Sequence, residues 1–550
     1  MRVLIFHGYL LEGTGSNVYN ARLAAALAGL GHDVHLLSQE RQPQCQPFVD
    51  AIADWDAGSL LVRELERPAR ERLQNAPGER SAGRCTVYRP DIGGLLPVYV
   101  ADRYEGIEAR TFAQCSDQEV ARYIDANVAA VEELVELVRP QLALANHLVM
   151  GPVILARALG GRVPYAVKIH GSALEYTVKP QPERFLSLAR EGLDGAAGVL
   201  VGSRHTAESL WQTIGDPELP QRTRLGPPGV DVERFAPREP DAAAAGLREL
   251  VARLRTAAAE PPPGEAPSNS DRSGDKSAFA RDAGAAAAAL SRIALSRDLL
   301  VAYVGKLIVS KGVDLLIAAW PLVLERVPQA RLSVVGFGAY RSTLERLCIA
   351  LGDGDLNDVR EIALAGRALE DERSPREPLR YLLAFLDRLH ADGARGGQRG
   401  RYLLAARGLR ERVVFSGRLE HDELAELLPA CEAVVVPSTF PEAFGMVAAE
   451  AAACGAFPVS AAHSGLAEVS GALAHAVPGR AAGWLSFGLD EHAVDALAGR
   501  VIAWLQADAG LRADTRAGLA AAVRERWSWE GVARGVIAAS SGDLDGLACP

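Results

Sequence analysis

No apolar run in this chain of 550 residues approaches the ~20 needed to cross a bilayer as a helix. The opening MRVLIFHGY turns polar too soon for a secretory leader. Both absences point to a cytoplasmic location. Cysteine is sparse and unpatterned: seven residues, an odd number, with no C-x-x-C. That excludes a disulfide framework and a cysteine zinc site, and it suits free thiols in a reducing compartment. Positive charge is not in excess. There are 59 Lys and Arg against 69 Asp and Glu, a net charge of −10, which excludes nucleic acid as the main partner.

What the chain does have is apolar content, 49% of its residues, enough for a sizeable core. Its length calls for two domains rather than one. Residues 2–6 read as an apolar strand and 7–16 as a glycine-bearing loop. Residues 17–30 carry Val18, Leu23, Ala26, Leu27 and Leu30 at helical spacing, and 33–37 read as a second strand. This βαβ unit opens a doubly wound sheet. Strands at 142–145, 164–169 and 199–201 alternate with helices at 120–138, 149–159 and 205–213, the last capped by Ser203. A second series of strands runs through 299–304, 330–335, 413–415, 434–436 and 457–460, with helices at 313–327, 344–351 and 423–428.

Three stretches fit neither series. Residues 41–84 are polar and irregular, with a helix expected over 60–73. Residues 260–277 are rich in Pro, Ser and Gly and read as a disordered linker, with a helix before them at 247–258. Residues 352–410 are an arginine-rich insertion, read as a solvated helix pair. The alternative is a basic face for a membrane or a partner. A final helix is expected over 512–539.

The chemistry concentrates in residues 433–455, AVVVPSTFPEAFGMVAAEAAACG. A buried strand leads through a Pro-broken loop into a short helix. The backbone N–H groups near Phe444, Gly445 and Met446 form an anion site at the helix start. Glu442 and Glu450 flank it. A carboxylate accepts hydrogen bonds, so its natural partner beside a phosphate is a polyhydroxyl sugar. Lys306 and Lys311 follow another strand end in G-K-L-I-V-S-K-G.

The sequence P-E-A-F-G with E-x7-E resembles the donor-site signature of the retaining family-4 glycosyltransferases of the GT-B fold. The resemblance implies an α/β protein with two Rossmann-like doubly wound domains facing a central cleft. It places an acceptor domain over 1–237, a low-complexity linker over 238–298 and a donor domain over 299–511. A C-terminal helix over 512–550 returns to the first domain. It implies that Glu442 holds the donor sugar hydroxyls and Glu450 the nucleotide ribose. Lys306 and Lys311, with Gly15, Phe444, Gly445 and Met446, would take the diphosphate. Gly417, Arg418 and Leu419 would frame the base. His170, after the strand at 164–169, would contact a sugar hydroxyl and stabilise charge. Gly13, Ser16 and His147 would face the acceptor. In such a design Lys and Arg do the work of a metal, so no cofactor and no essential metal are expected. The co-substrate would be a UDP-, GDP- or ADP-linked sugar and the acceptor is open. A peripheral membrane contact is among the partner expectations.

Two other classes compete. A nicotinamide-dependent oxidoreductase needs a full glycine triad and an acid closing the second strand. Here the segment Gly13-Thr14-Gly15-Ser16 lacks the third glycine, and the strand runs into Ser38 and Gln39 before Glu40. A catalytically silent nucleotide-sugar-binding protein would keep the fold. The intact Lys306, Lys311, Glu442 and Glu450 speak against that decay.

Overall fold

The computed structural model describes residues 1–56, 59–65, 83–99, 108–259, 281–370, 375–392 and 397–550. The expected linker at 260–277 lies outside the described residues, as does the part of the 60–73 helix beyond residue 65. The chain divides into two compact units, Met1–Gly229 with Trp527–Pro550, and Val230–Arg526.

In the first unit the strands are β1 (Arg2–Phe6), β2 (Asp33–Leu37), β3 (Ala51–Asp56), β4 (Ser59–Glu64), β5 (Cys85–Arg89), β6 (Leu95–Val98), β7 (Glu108–Thr111), β8 (Leu142–Asn146), β9 (Tyr165–Lys168), β10 (Gly198–Val201) and β11 (Thr223–Leu225). Nine of them form one sheet in the order β11-β10-β9-β8-β1-β2-β5-β3-β4, while β6 pairs with β7. All ladders in the large sheet are parallel except β3 with β4. Alternate residues face opposite sides. Leu4 and Phe6 lie in one core cluster, and Val3 and Ile5 in the other. The second cluster is completed by Ala533, Val536 and Ala539 of the helix Trp529–Ser541. Both faces of the sheet are therefore covered, as a parallel sheet requires.

Two expectations are corrected here. Residues 59–64 are strand, not helix, paired antiparallel along β3. A helix there would have to close its own costly first turn, whereas the neighbouring strand offers a ready ladder. The last helix is two, Ala509–Arg526 and Trp529–Ser541. The break falls at Ser528, whose backbone is extended and whose hydroxyl accepts from Gly531 N–H at 3.3 Å, a fresh N-cap. The first of the two belongs to the second unit and the other to the first.

In the second unit the strands are β12 (Leu299–Val304), β13 (Ala330–Val335), β14 (Val413–Gly417), β15 (Ala433–Val436), β16 (Phe457–Ala461) and β17 (Ser486–Phe487). They form one parallel sheet in the order β14-β13-β12-β15-β16-β17. The segment Pro240–Ala259, expected in part as linker, is a helix that buries Leu247, Leu250 and Leu254 in this unit.

The insertion at 352–410 is helical, with Leu356–Ala365, Arg380–Asp392 and Gln398–Ala406. Its apolar residues Val359, Ile362, Phe385 and Tyr402 are buried, and the Tyr402 hydroxyl donates to Ala318 O at 2.9 Å. Its arginines meet acids of the same unit: Arg360 pairs with Asp387, Arg388 with Asp495, Arg401 with Glu325 and Arg410 with Asp353. Among the described residues no helix is long and apolar enough to cross a membrane.

Candidate active site

Each sheet has a point where the strand order reverses. In the second unit it lies between β12 and β15, and in the first between β1 and β8. Loops leave such a point in opposite directions, and ligands of open α/β sheets bind there, beyond the carboxyl ends of the strands. Apart from Glu450, which lies within a helix, the candidates in the two units lie on strand ends, loops or helix starts at these ends.

In the second unit, β12 leads into Lys306 and Lys311, and β15 leads into Glu442. The loops are stitched together: Thr439 N–H donates to Ser310 O at 2.9 Å, and the Ser438 hydroxyl lies 3.1 Å from the same oxygen. Gly312 permits this approach. It sits at φ +65°, and a Cβ there would lie 2.1 Å from Pro437 O.

Lys311 Nζ donates to Glu442 Oε1, which also accepts from the Ser438 hydroxyl at 2.8 Å. Burial alone would raise the Glu442 pKa. The Lys311 ammonium, the Ser438 hydroxyl and His463 outweigh it and hold the carboxyl below its ordinary value. The backbone of Glu442 is held as well. Its N–H donates to the Ser464 hydroxyl at 2.9 Å, and its carbonyl accepts from Gly465 N–H at 3.0 Å. His463 closes the circuit, with Nε2 2.7 Å from Ser438 O and Nδ1 3.0 Å from the Ser464 hydroxyl. A carbonyl only accepts, so Nε2 carries a proton toward Ser438 O. Glu442, Ser464, His463 and Ser438 thus form a closed ring of hydrogen bonds. Ser464 adopts φ +49°, an uncommon conformation for a residue with a side chain.

The helix behind Glu442, Met446–Ala453, starts at Gly445 with no side-chain cap. The expected anion site at Phe444, Gly445 and Met446 is therefore a helix N-terminus without a competing side chain. Phe444 itself is buried, and only a glycine at 465 lets the neighbouring turn close on it, since a Cβ there would lie 2.6 Å from Phe444 Cα. Glu450, about one turn into this helix, is 4% exposed, and its Oε1 is 2.8 Å from His421 Nε2. The His421 ring packs 4.7 Å from Phe235. Gly417 turns with φ +72°, Arg418 pairs with Glu420 at 3.1 Å, and Leu419 is buried. Lys306 and Arg418 both lie over the Phe337 ring, at 5.9 and 5.4 Å.

In the first unit, His170, Asn146, His147, Gly13, Gly15 and Ser16 also sit at strand ends. The Phe6 register partners are Leu37 and Ala145, so β1, β2 and β8 end level. Gly13 turns with φ +89°, and Gly15 and Ser16 begin the helix Gly15–Gly29. His170 is half-buried, and its Nε2 lies 2.8 Å from Asn146 Oδ1. Burial first, then His147, Lys168 and His7, push its pKa well down, so the ring is neutral at physiological pH. His147, expected to face the acceptor, is only 3% exposed. Its ring lies 4.9 Å from that of His170 and 4.7 Å from that of Tyr99, so it backs His170 rather than lining a surface. Lys168 is buried on the Tyr19 ring, donates to the Gly226 carbonyl, and has its pKa pushed down to about 7 by burial. Glu40, read as too late for a ribose acid, accepts from the backbone N–H of Leu11 at 2.9 Å.

Sequence reasoning missed His421, Ser438, His463 and Ser464 in the second unit, and Asn20, His7 and Lys168 in the first. The available signal was position. His421 follows β14 closely, His463 and Ser464 follow β16, and His7 follows β1 directly, all at carboxyl ends of parallel strands.

Residues 14–223 match the glycosyl transferase 4-like domain, and residues 394–522 match the glycosyl transferases group 1. An uncharacterised glycosyltransferase of Methanocaldococcus jannaschii is 28% identical over 170 residues, 31% of this chain and 29% of that protein. The GDP-mannose-dependent alpha-(1-6)-phosphatidylinositol monomannoside mannosyltransferase of Mycolicibacterium smegmatis is 29% identical over 210 residues, 38% of this chain and 41% of that one. The chain thus spans less than half the length of these curated relatives. Anabaena HepE, solved in complex with UDP and glucose, superposes with a TM-score of 0.53 at 16% identity, covering 98% of this chain and 99% of that one. That likeness is one of fold. The first unit thus carries a region similar to the 4-like domain and the second a region similar to the group 1 glycosyl transferases, and the chain as a whole shares the two-sheet GT-B fold.

Proposed function

We propose that the protein transfers a hexosyl group from a nucleotide diphosphate sugar to an acceptor hydroxyl, with retention at the anomeric carbon. The observation that carries this reading is the meeting of Lys311 and Glu442 in front of the uncapped helix start at Gly445. Cation and N–H groups suit a diphosphate, and a carboxylate held ionised beside them suits sugar hydroxyls. Lys306 adds a second cation. These lysines supply the charge that a divalent metal would otherwise bring, so no essential metal is proposed. Glu450 takes the ribose, Gly417, Arg418 and Leu419 frame the base, and Gly15 approaches the phosphates. Gly13 and Ser16 serve the acceptor, and His170 contacts a hydroxyl of the transferred sugar. His147 acts only through His170. The M. smegmatis relative is named for GDP-mannose, and HepE was solved with UDP. The base and the sugar are thus to be found by screening UDP, GDP and ADP for thermal stabilisation, then their sugars.

The test is transfer or slow hydrolysis of the donor selected in that screen, with the first-formed anomer read by NMR. A retained anomer is expected. An inverted one would overturn the mechanism, and no turnover with any stabilising donor would reduce the protein to a binding module. A second measurement addresses the diphosphate contacts. Lys306→Ala and Lys311→Ala should each weaken nucleoside diphosphate binding by roughly 1.5–3 kcal/mol, as a charge-assisted contact does, and leave the nucleoside almost unaffected. Equal losses for both ligands would remove these lysines from the phosphate site.

A further inference from the structure

The first unit contains a chain of buried amides and imidazoles that ends on His170. Asn146 Oδ1 lies 2.8 Å from His170 Nε2 and 3.1 Å from Asn20 Nδ2. Asn146 Nδ2 lies 3.2 Å from Phe6 O. Asn20 Nδ2 also lies 2.9 Å from Ser16 O and 3.0 Å from His7 Nδ1. His7 Nε2 lies 2.9 Å from Leu10 O and 3.1 Å from Asn17 Oδ1. Asn20 and Asn146 are at most 1% exposed.

Chemistry fixes the direction of each bond. The carbonyls of Phe6, Leu10 and Ser16 can only accept. His7 Nε2 therefore donates, and its Nδ1 accepts from Asn20. Asn20 must present its NH2 to Ser16 O, and its two hydrogens are shared among Ser16 O, His7 Nδ1 and Asn146 Oδ1, one of them bifurcated. Asn146 must present its own NH2 to Phe6 O, which leaves its oxygen toward Asn20 and His170. Flipping Asn146 would set its NH2 against the Asn20 NH2 and lose the bond to Phe6. An amide oxygen facing His170 accepts, so the imidazole nitrogen facing it must carry the hydrogen. Among the described residues the other ring nitrogen, Nδ1, has no hydrogen-bond partner within the unit.

We propose that Asn146 is a positioning residue that locks His170 as the Nε2–H tautomer, so that His170 meets its ligand as a hydrogen-bond acceptor through Nδ1. The ligand group is a hydroxyl, which donates to that lone pair. This rests on the reading of the protein as a sugar transferase only for the identity of the hydroxyl. The tautomer itself follows from the network. Asn20 supports the lock from behind, and through Ser16 O and His7 it ties the loop after β1 to the ring that the loop after β9 delivers.

The test is nitrogen NMR of the full-length protein labelled in its histidines, with His170 assigned by the signal lost in His170→Gln. The expected wild-type spectrum has a protonated Nε2 and an unprotonated Nδ1 at neutral pH. Asn146→Leu removes the acceptor at similar volume and should give a mixed or exchanging tautomer signal. Asn146→Asp keeps an acceptor oxygen at the same place and should keep the Nε2–H form. In turnover, Asn146→Leu should lower kcat by roughly tenfold or more with little change in the donor KM, a loss confined to a group that acts in the reacting complex. A protonated Nδ1 in the wild type would overturn the proposal, and that spectrum needs no variant to fold. An unchanged tautomer in Asn146→Leu would overturn it too. The expected tautomer in a protein that transfers no sugar would sink the functional reading and leave the lock intact.

Discussion

Glu442→Gln should lower kcat by ~10²-fold or more while nucleoside diphosphate affinity changes far less, because the lost interaction strengthens as positive charge develops on the sugar. The substitution is nearly isosteric. The amide oxygen still accepts from Ser438, and the backbone bonds to Ser464 and Gly465 are untouched. What goes is the negative charge and its pairing with Lys311. Steady-state kinetics with the identified donor, beside calorimetric binding of the nucleoside diphosphate, separates the two effects. Lys311 and Glu442 touch, so their single effects will not add, and the double variant Lys311→Ala with Glu442→Gln should lose less than the sum. Wild-type kcat in Glu442→Gln would remove this carboxylate from the reaction and leave the fold untouched.

The largest loss of stability is expected far from that chemistry. Asp298 lies just ahead of β12, with a side chain that shows no exposure. It accepts from Arg331 Nε at 2.7 Å, Arg412 Nη1 at 2.9 Å and Ala294 N–H at 2.9 Å. Arg331 is 6% exposed, and its other contact is the Glu411 carbonyl. Asp298→Ala leaves a guanidinium buried without its anion, which typically costs about 3–5 kcal/mol. Denaturant unfolding of the second unit should show that loss, and one below about 1 kcal/mol would contradict it. Asp298 with Arg331 and Arg412 joins the starts of β12, β13 and β14, the end of the sheet opposite the candidate site. Turnover per folded molecule should therefore stay near wild type.

The pH dependence follows the sign of the Asp298 shift. Burial would raise its pKa, but the Ala294 N–H, Arg331 and Arg412 prevail and depress it. A depressed acid contributes stability above its unfolded value of about 3.9, and loses it as pH falls through the lower folded value. In Asp298→Ala, the acid-limb slope of stability below about pH 4 should be shallower than in the wild type.

The alternation of strands and helices was legible from the chain because periodicity is local. Apolar runs at β1, β8, β9, β12 and β15 announce buried parallel strands, and Ser203 marks the helix it caps. The strand-end positions of Lys306, Lys311, Glu442 and His170 were legible for the same reason. What the chain could not reveal is which side chains meet. Lys311 and Glu442 are 131 residues apart, and Asn20 and Asn146 are 126 apart. They become neighbours only because the strand order reverses between β12 and β15, and between β1 and β8, bringing distant loops to one edge. The strand at 59–64 was misread because β4 is short and mostly exposed, so its partner β3, not its own pattern, decides its form. The break at Ser528 shows the same limit from the other side. A capping serine is a local signal, but whether a helix continues through it depends on packing. The helix Ala509–Arg526 packs in the second unit and Trp529–Ser541 in the first, so the chain must turn between two cores that only the folded protein defines.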